Sequence, residues 1–88
     1  MAADDSETRT IALPAWLTGL AVLPDLEGAR VERDEQRVLL ELTRIAAHRS
    51  DRIAAPITAY LAGLALAGRP AAERARALAR IVAALADE

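Results

Sequence analysis

His48 is the only histidine of the chain, and there is no cysteine. One imidazole without a second histidine or a thiolate cannot make an ordinary zinc site. As a general base, His48 would need a partner and a substrate pocket. Glu41 shares its helix face but lies about two turns away, beyond a direct hydrogen bond. The missing cysteine also excludes disulfides and a thiol nucleophile. No P-loop, glycine-rich dinucleotide loop, nucleophile elbow or paired metal-ligand motif occurs, so no catalytic residue, metal site or cofactor is expected. A histidine in the last turn of a helix suits the negative end of the helix dipole without further function.

The one place where residue types and spacing suggest binding is the stretch from His48 to Thr58. Pro56 is expected to be the first residue of a helix, which makes Ala55 the N-cap, a residue with no side-chain oxygen. The amides of Ile57 and Thr58 would then lack their usual local acceptor. Such amides attract anions, and His48, Arg49 and Arg52 lie just upstream. The competing reading fills the gap with Thr58, Asp51, a backbone carbonyl or water. Arg49 projects onto the apolar side of its helix, so it must snorkel out or pair, with Asp51 the nearest partner. Thr58 and Tyr60 are the polar groups of the following helix, and such groups are usually hydrogen-bonded within a core. Arg69, Arg74, Arg76 and Arg80 form a basic C-terminal stretch with only Glu73 to offset them. They read as a solvated face. Without aromatics among them, nucleic-acid binding is not expected.

Four helices, at about 14–22, 33–49, 56–67 and 70–86, are predicted to position these groups. Pro14 starts the first, and Trp16, Leu17, Leu20 and Ala21 recur at helical spacing, with Trp16 expected to anchor the core. In the second, Val38, Leu39, Leu42, Ile45 and Ala46 form an apolar stripe. Arg37, Glu41, Arg44 and His48 line its other face, where Arg37–Glu41 and Glu41–Arg44 are spaced to pair. Asp34 is its expected N-cap. The third helix is apolar on every side except Thr58 and Tyr60, so it is placed at the centre, buried all round. Ala55, Ala59, Gly63 and Ala67 would give it a smooth strip for close packing, and Gly68 stops it. Pro70 opens the fourth helix, whose Ala71, Ala75, Leu78, Val82 and Leu85 share one face. Short connections then make the fold class all-α, a small antiparallel bundle.

Composition agrees with one small domain over residues 11–88 behind an acidic, aperiodic tail over residues 1–10. Of the 88 residues, 22 are Ala, none is Phe, and all 11 basic residues are Arg. Ala favours helix but fills little volume, so Leu, Ile and Val must supply most of the packing. A net charge of −2 gives no field to attract nucleic acid or an anionic membrane. The longest uncharged run, Ile53 to Gly68, is short of the ~20 residues that span a bilayer. Asp4, Asp5 and Glu7 stand where a secretory signal needs positive charge. The expectation is a soluble, cytoplasmic protein.

Residues 39–48, Leu-Leu-Glu-Leu-Thr-Arg-Ile-Ala-Ala-His, followed by residues 52–65, Arg-Ile-Ala-Ala-Pro-Ile-Thr-Ala-Tyr-Leu-Ala-Gly-Leu-Ala, resemble a small uncharacterised actinobacterial family of helical proteins. Trp16-Leu17 fits it too, and the resemblance covers about residues 14–68. Arg44, His48, Arg52, Pro56, Thr58 and Tyr60 match its signature, while Ile53 stands where the family has a proline. Members occur free-standing, or beside or fused to the nucleotidyltransferase that makes molybdopterin-guanine dinucleotide. The resemblance therefore implies a pathway association and not a reaction. The chain is expected to be a non-enzymatic accessory module of molybdenum-cofactor maturation. It would contact a partner enzyme or a phosphate-bearing ligand through Arg44, His48, Arg49, Arg52, Ile57, Thr58 and Tyr60. The alternative is a generic protein-interaction or homodimerising helical module.

Overall fold

Every regular element in the structure, a computed structural model that describes residues 10–86, is a helix: α1 Leu13–Ala21, α2 Arg33–Arg49, α3 Ala54–Leu66 and α4 Ala71–Ala86. The expected all-α class and four-helix make-up are therefore found, with no strand among the described residues. None of these helices is long and apolar enough to cross a membrane. The expected tail over residues 1–10 lies, apart from Thr10, outside the described residues. Residues 1–30 and 31–88 fall into two units, and each is described by itself.

In the first unit, α1 begins at Leu13 with Pro14 in its first turn, where the missing N–H costs nothing. The amide of Trp16 donates to the Ala12 carbonyl at 2.9 Å. Successive turns then carry the chain from Val22 to Gly28, and Asp25 and Gly28 both hold positive φ there, 74° and 75°. No residue of α1 is buried. Trp16 is 51% exposed, so the expected core anchor is not one.

The second unit is organised around α2. Its N-cap is Glu32, not Asp34: Glu35 reaches back so that its Oε1 accepts from the Glu32 amide at 3.2 Å, half of a capping box. Arg37 pairs with Asp34, one turn back, at 3.7 Å. The apolar stripe of α2 buries Val38 and Leu42, the latter 1% exposed, against Ala62 and Leu66 of α3 and Ala77 and Leu78 of α4. Leu39, Ile81, Val82 and Leu85 pack around them. Two arginines join the ends of α2 and α4. Arg74, in the first turn of α4, forks onto Glu35 in the first turn of α2. Arg49, at the end of α2, donates to the Leu85 carbonyl near the end of α4 at 2.6 Å. First turns meet and last turns meet, so α2 and α4 run parallel, and α3 must run back between their opposite ends.

The third helix is not the centre. α2 packs against both α3 and α4, while α3 and α4 touch only marginally. The reason is side-chain size. Apart from Leu66 at its end, α3 turns small residues such as Ala62 toward the core and leaves Ile57, Tyr60, Leu61 and Leu64 outside, so α4 can bring its own Leu and Val directly onto α2. The expected strip of Ala55, Ala59, Gly63 and Ala67 is likewise not the contact row. Gly63 and Ala67 are exposed, and a Cβ built at Gly63 meets nothing. Gly68, at φ 88°, ends α3 as expected, since a left-handed residue there releases the chain toward α4.

Candidate functional site

α3 opens two residues earlier than Pro56. Ile53 already has helical φ and ψ, −72° and −13°. The amides of Ala54 and Ala55 donate to the carbonyls of Asp51 and Arg52 at 2.8 and 3.2 Å. The chain is thus wound into helix ahead of the proline, which falls in the first turn and lacks only an N–H with no helical acceptor. The expectation of Pro56 as first residue and Ala55 as N-cap is corrected accordingly. The amide of Thr58 now lies within the i→i−4 ladder of the helix. The early amides of Ala54 and Ala55 have backbone partners, so the uncapped-amide argument for an anion at Ile57 and Thr58 loses its premise.

The residues singled out around this joint fall into separate groups. Arg44 and His48 are exposed, one turn apart on α2. Arg49 and the half-buried Thr58 line an open depression of about 410 Å³, with Ile45, Ala46, Ala54 and Leu85 as its apolar walls. Arg49 crosses to the Leu85 carbonyl, a partner on another helix, where the sequence suggested Asp51. There its charge meets the negative end of α4. Arg52 lies exposed in the turn before α3. Ile57 and Tyr60 stand on the outer face of α3, exposed.

That outer face is the most prominent surface of the unit. Ile53, Ile57, Tyr60, Leu61 and Leu64 are 58–70% exposed. At 100° per residue they lie within an arc of about 100°, roughly opposite the buried Ala62 and Leu66. Large apolar side chains supply most of the area a helix can bury, and here they point away from the helix's own core. Ile53, Leu61 and Leu64 were not singled out as site residues. Their one signal was uninterrupted apolar character, which reads equally as full burial.

Glu35 is the one buried charged residue among those described. Arg74 gives it two N–H groups, one at 2.9 Å, and a third nitrogen contact of Arg74 reaches the Arg69 carbonyl at 2.5 Å. The hydrogen bond from Arg74 holds the Glu35 carboxyl below its ordinary pKa, although burial pulls the other way, and Glu35 in turn raises Arg74. Arg74 was expected on a solvated basic face; it is instead the fastening between α4 and α2. The groove beside this pair, about 620 Å³, is open and lined by Glu32, Arg33, Ala71, Ala72, Ala75 and Arg76 among others. Among the described residues, no three His, Asp or Glu lie close enough to share a metal ion.

The family model of a domain of unknown function, DUF6457, matches residues 8–88. The chain belongs to that family. The match takes in all four helices, the 48–58 joint and the exposed face of α3. It agrees, as far as an uncharacterised family goes, with the resemblance seen in residues 14–68. No curated protein and no solved structure matches the chain.

Proposed function

We propose that this chain is a non-enzymatic interaction module whose working surface is the outer face of α3. One observation carries the reading: Ile53, Ile57, Tyr60, Leu61 and Leu64 stand exposed together on the side of α3 that faces away from α2. The largest contiguous apolar patch on a monomeric protein is typically a few hundred Å² and often functional, a place where another surface docks. Arg52, in the turn just before Ile53, supplies a polar edge to it, the usual arrangement of an apolar centre with a charged rim. The reading as non-enzymatic is supported by the residue inventory, one histidine and no cysteine.

In its narrower form the partner is an enzyme of molybdenum-cofactor maturation, and the support for that is the resemblance at residues 39–65. A photo-crosslinking residue placed at Tyr60 in cells of the native source tests both forms, with the same residue at Arg80, exposed on α4, as control. Adducts are expected at position 60 and not at 80. No adduct at position 60 would overturn the proposal. Adducts that never contain the molybdopterin-guanine dinucleotide nucleotidyltransferase would remove the narrower form alone.

A further inference from the structure

We propose that the surface covering the outer face of α3 is the same face of a second copy, so that the chain forms a two-fold homodimer through α3 against α3. The inference rests on the reading of that face as an interaction surface and names its partner. Ile53, Ile57, Tyr60 and Leu64 follow one another at spacings of four, three and four residues. That is the seam spacing of paired helices, which lets side chains of one helix drop between those of another at a shallow crossing angle. Leu61 widens the seam on one side.

Charge and area both suit a second copy. A two-fold interface sets a surface against itself, so any charge on it meets its own kind. From Ile53 to Gly68 there is no Asp, Glu, Lys or Arg, and self-pairing meets no repulsion along the whole helix. Interfaces between different, separately soluble proteins are about as polar as ordinary surface, whereas those of homodimers are more apolar, as this face is. Each of the five side chains leaves on the order of 100 Å² bare, so one copy presents roughly 500–600 Å², the size of the largest apolar patches on monomers. Complete burial of these side chains in both copies would remove about 1,100 Å², and the exposed Pro56, Gly63 and Ala67 beside them add to that, toward the range of specific interfaces. In an antiparallel pairing centred between Ile57 and Tyr60, Ile53 of one copy meets Leu64 of the other, and Ile57 meets Tyr60.

Sedimentation equilibrium of the full chain, from low micromolar to millimolar, tests this. The expected mass rises to twice the 9.4 kDa of one copy. The double variant Leu61→Glu, Leu64→Glu should keep its helical circular dichroism and weaken the dimer by roughly 100-fold or more, because its carboxylates would be buried without partners. Ile53→Glu should weaken it too, and adding Leu64→Arg to Ile53→Glu should restore it, since the antiparallel register brings those two together. A wild-type chain that stays at 9.4 kDa at millimolar concentration overturns the proposal, whatever the variants do. So does a double variant, Leu61→Glu with Leu64→Glu, that folds and dimerises unchanged. If a monomeric chain still gives adducts to another protein from position 60, the homodimer fails and the interaction reading stands.

Discussion

Glu35 serves two ends at once: it reaches back to the Glu32 amide that opens α2 and across to Arg74 that opens α4. Its carboxyl is held below the ordinary value of 4.5, chiefly by the Arg74 hydrogen bond. A carboxylate more acidic in the folded chain than in the unfolded one stabilises the fold above the unfolded value, and that contribution disappears as pH falls through the lowered one. Thermal unfolding should therefore show a melting temperature that is steady at neutral pH and declines once the pH drops below about 4.5. Glu35→Gln should melt lower at pH 7 and decline less steeply in acid; a variant with the wild-type acid profile would show that the pair is not the origin. Leu42 carries the packing counterpart. It is the most buried side chain of the core, and truncation to Ala should cost on the order of 2–5 kcal/mol in urea denaturation. Much of this was hard to see in the residues. Glu35 falls on the same stripe as Val38 and Leu42, and Arg49 on the same side. A charge on an apolar stripe announces that a partner exists, but those partners, Arg74 and the Leu85 carbonyl, lie on another helix that no spacing within α2 identifies.

The helices themselves were largely written in the pattern. The stripe of α2 gives both its extent and its buried side, and Pro14, Gly68 and Pro70 mark boundaries to within a residue or so. α3 is different because periodicity carries information only through contrast. A helix apolar on all sides states that it wants cover without stating which half its own chain covers, and the inward row proved to be the one with Ala62 and, at its end, Leu66. The early start of α3 was hidden for a related reason: proline favours the first position of a helix but is tolerated in the second or third, since none of these amides has a helical acceptor. Gly63 offers a test of the element. It lies inside α3, exposed, with open space where a Cβ would go. Gly63→Ala should raise stability by about 0.5–1 kcal/mol in dilute solution, through the entropy Gly loses on entering a helix. A loss of stability there would mean that the outer row of α3 is more closely approached than it stands.

Across the molecule, protection should follow the burial gradient. Amides of α2 between Val38 and Ala46, packed from both sides, should exchange slowest. Those of α1, with no buried residue, should exchange fastest among the helices. Amide exchange by mass spectrometry or NMR checks this directly, and equal protection in α1 and α2 would contradict it. The arginine clasps add a consequence in time. They tie residues 39 and 36 positions apart, and the most extensive helix contact of the unit is the one between α2 and α4, not between chain neighbours. Helical proteins owe their speed of folding to contacts made close along the chain. Here the decisive encounter closes a long loop with all of α3 inside it. The cost of closure grows only slowly with length, so residues inserted at Ala67–Pro70 should slow refolding modestly and leave unfolding almost untouched. α3 then acts less as a pillar of the nucleus than as the tether that decides how often its two ends meet.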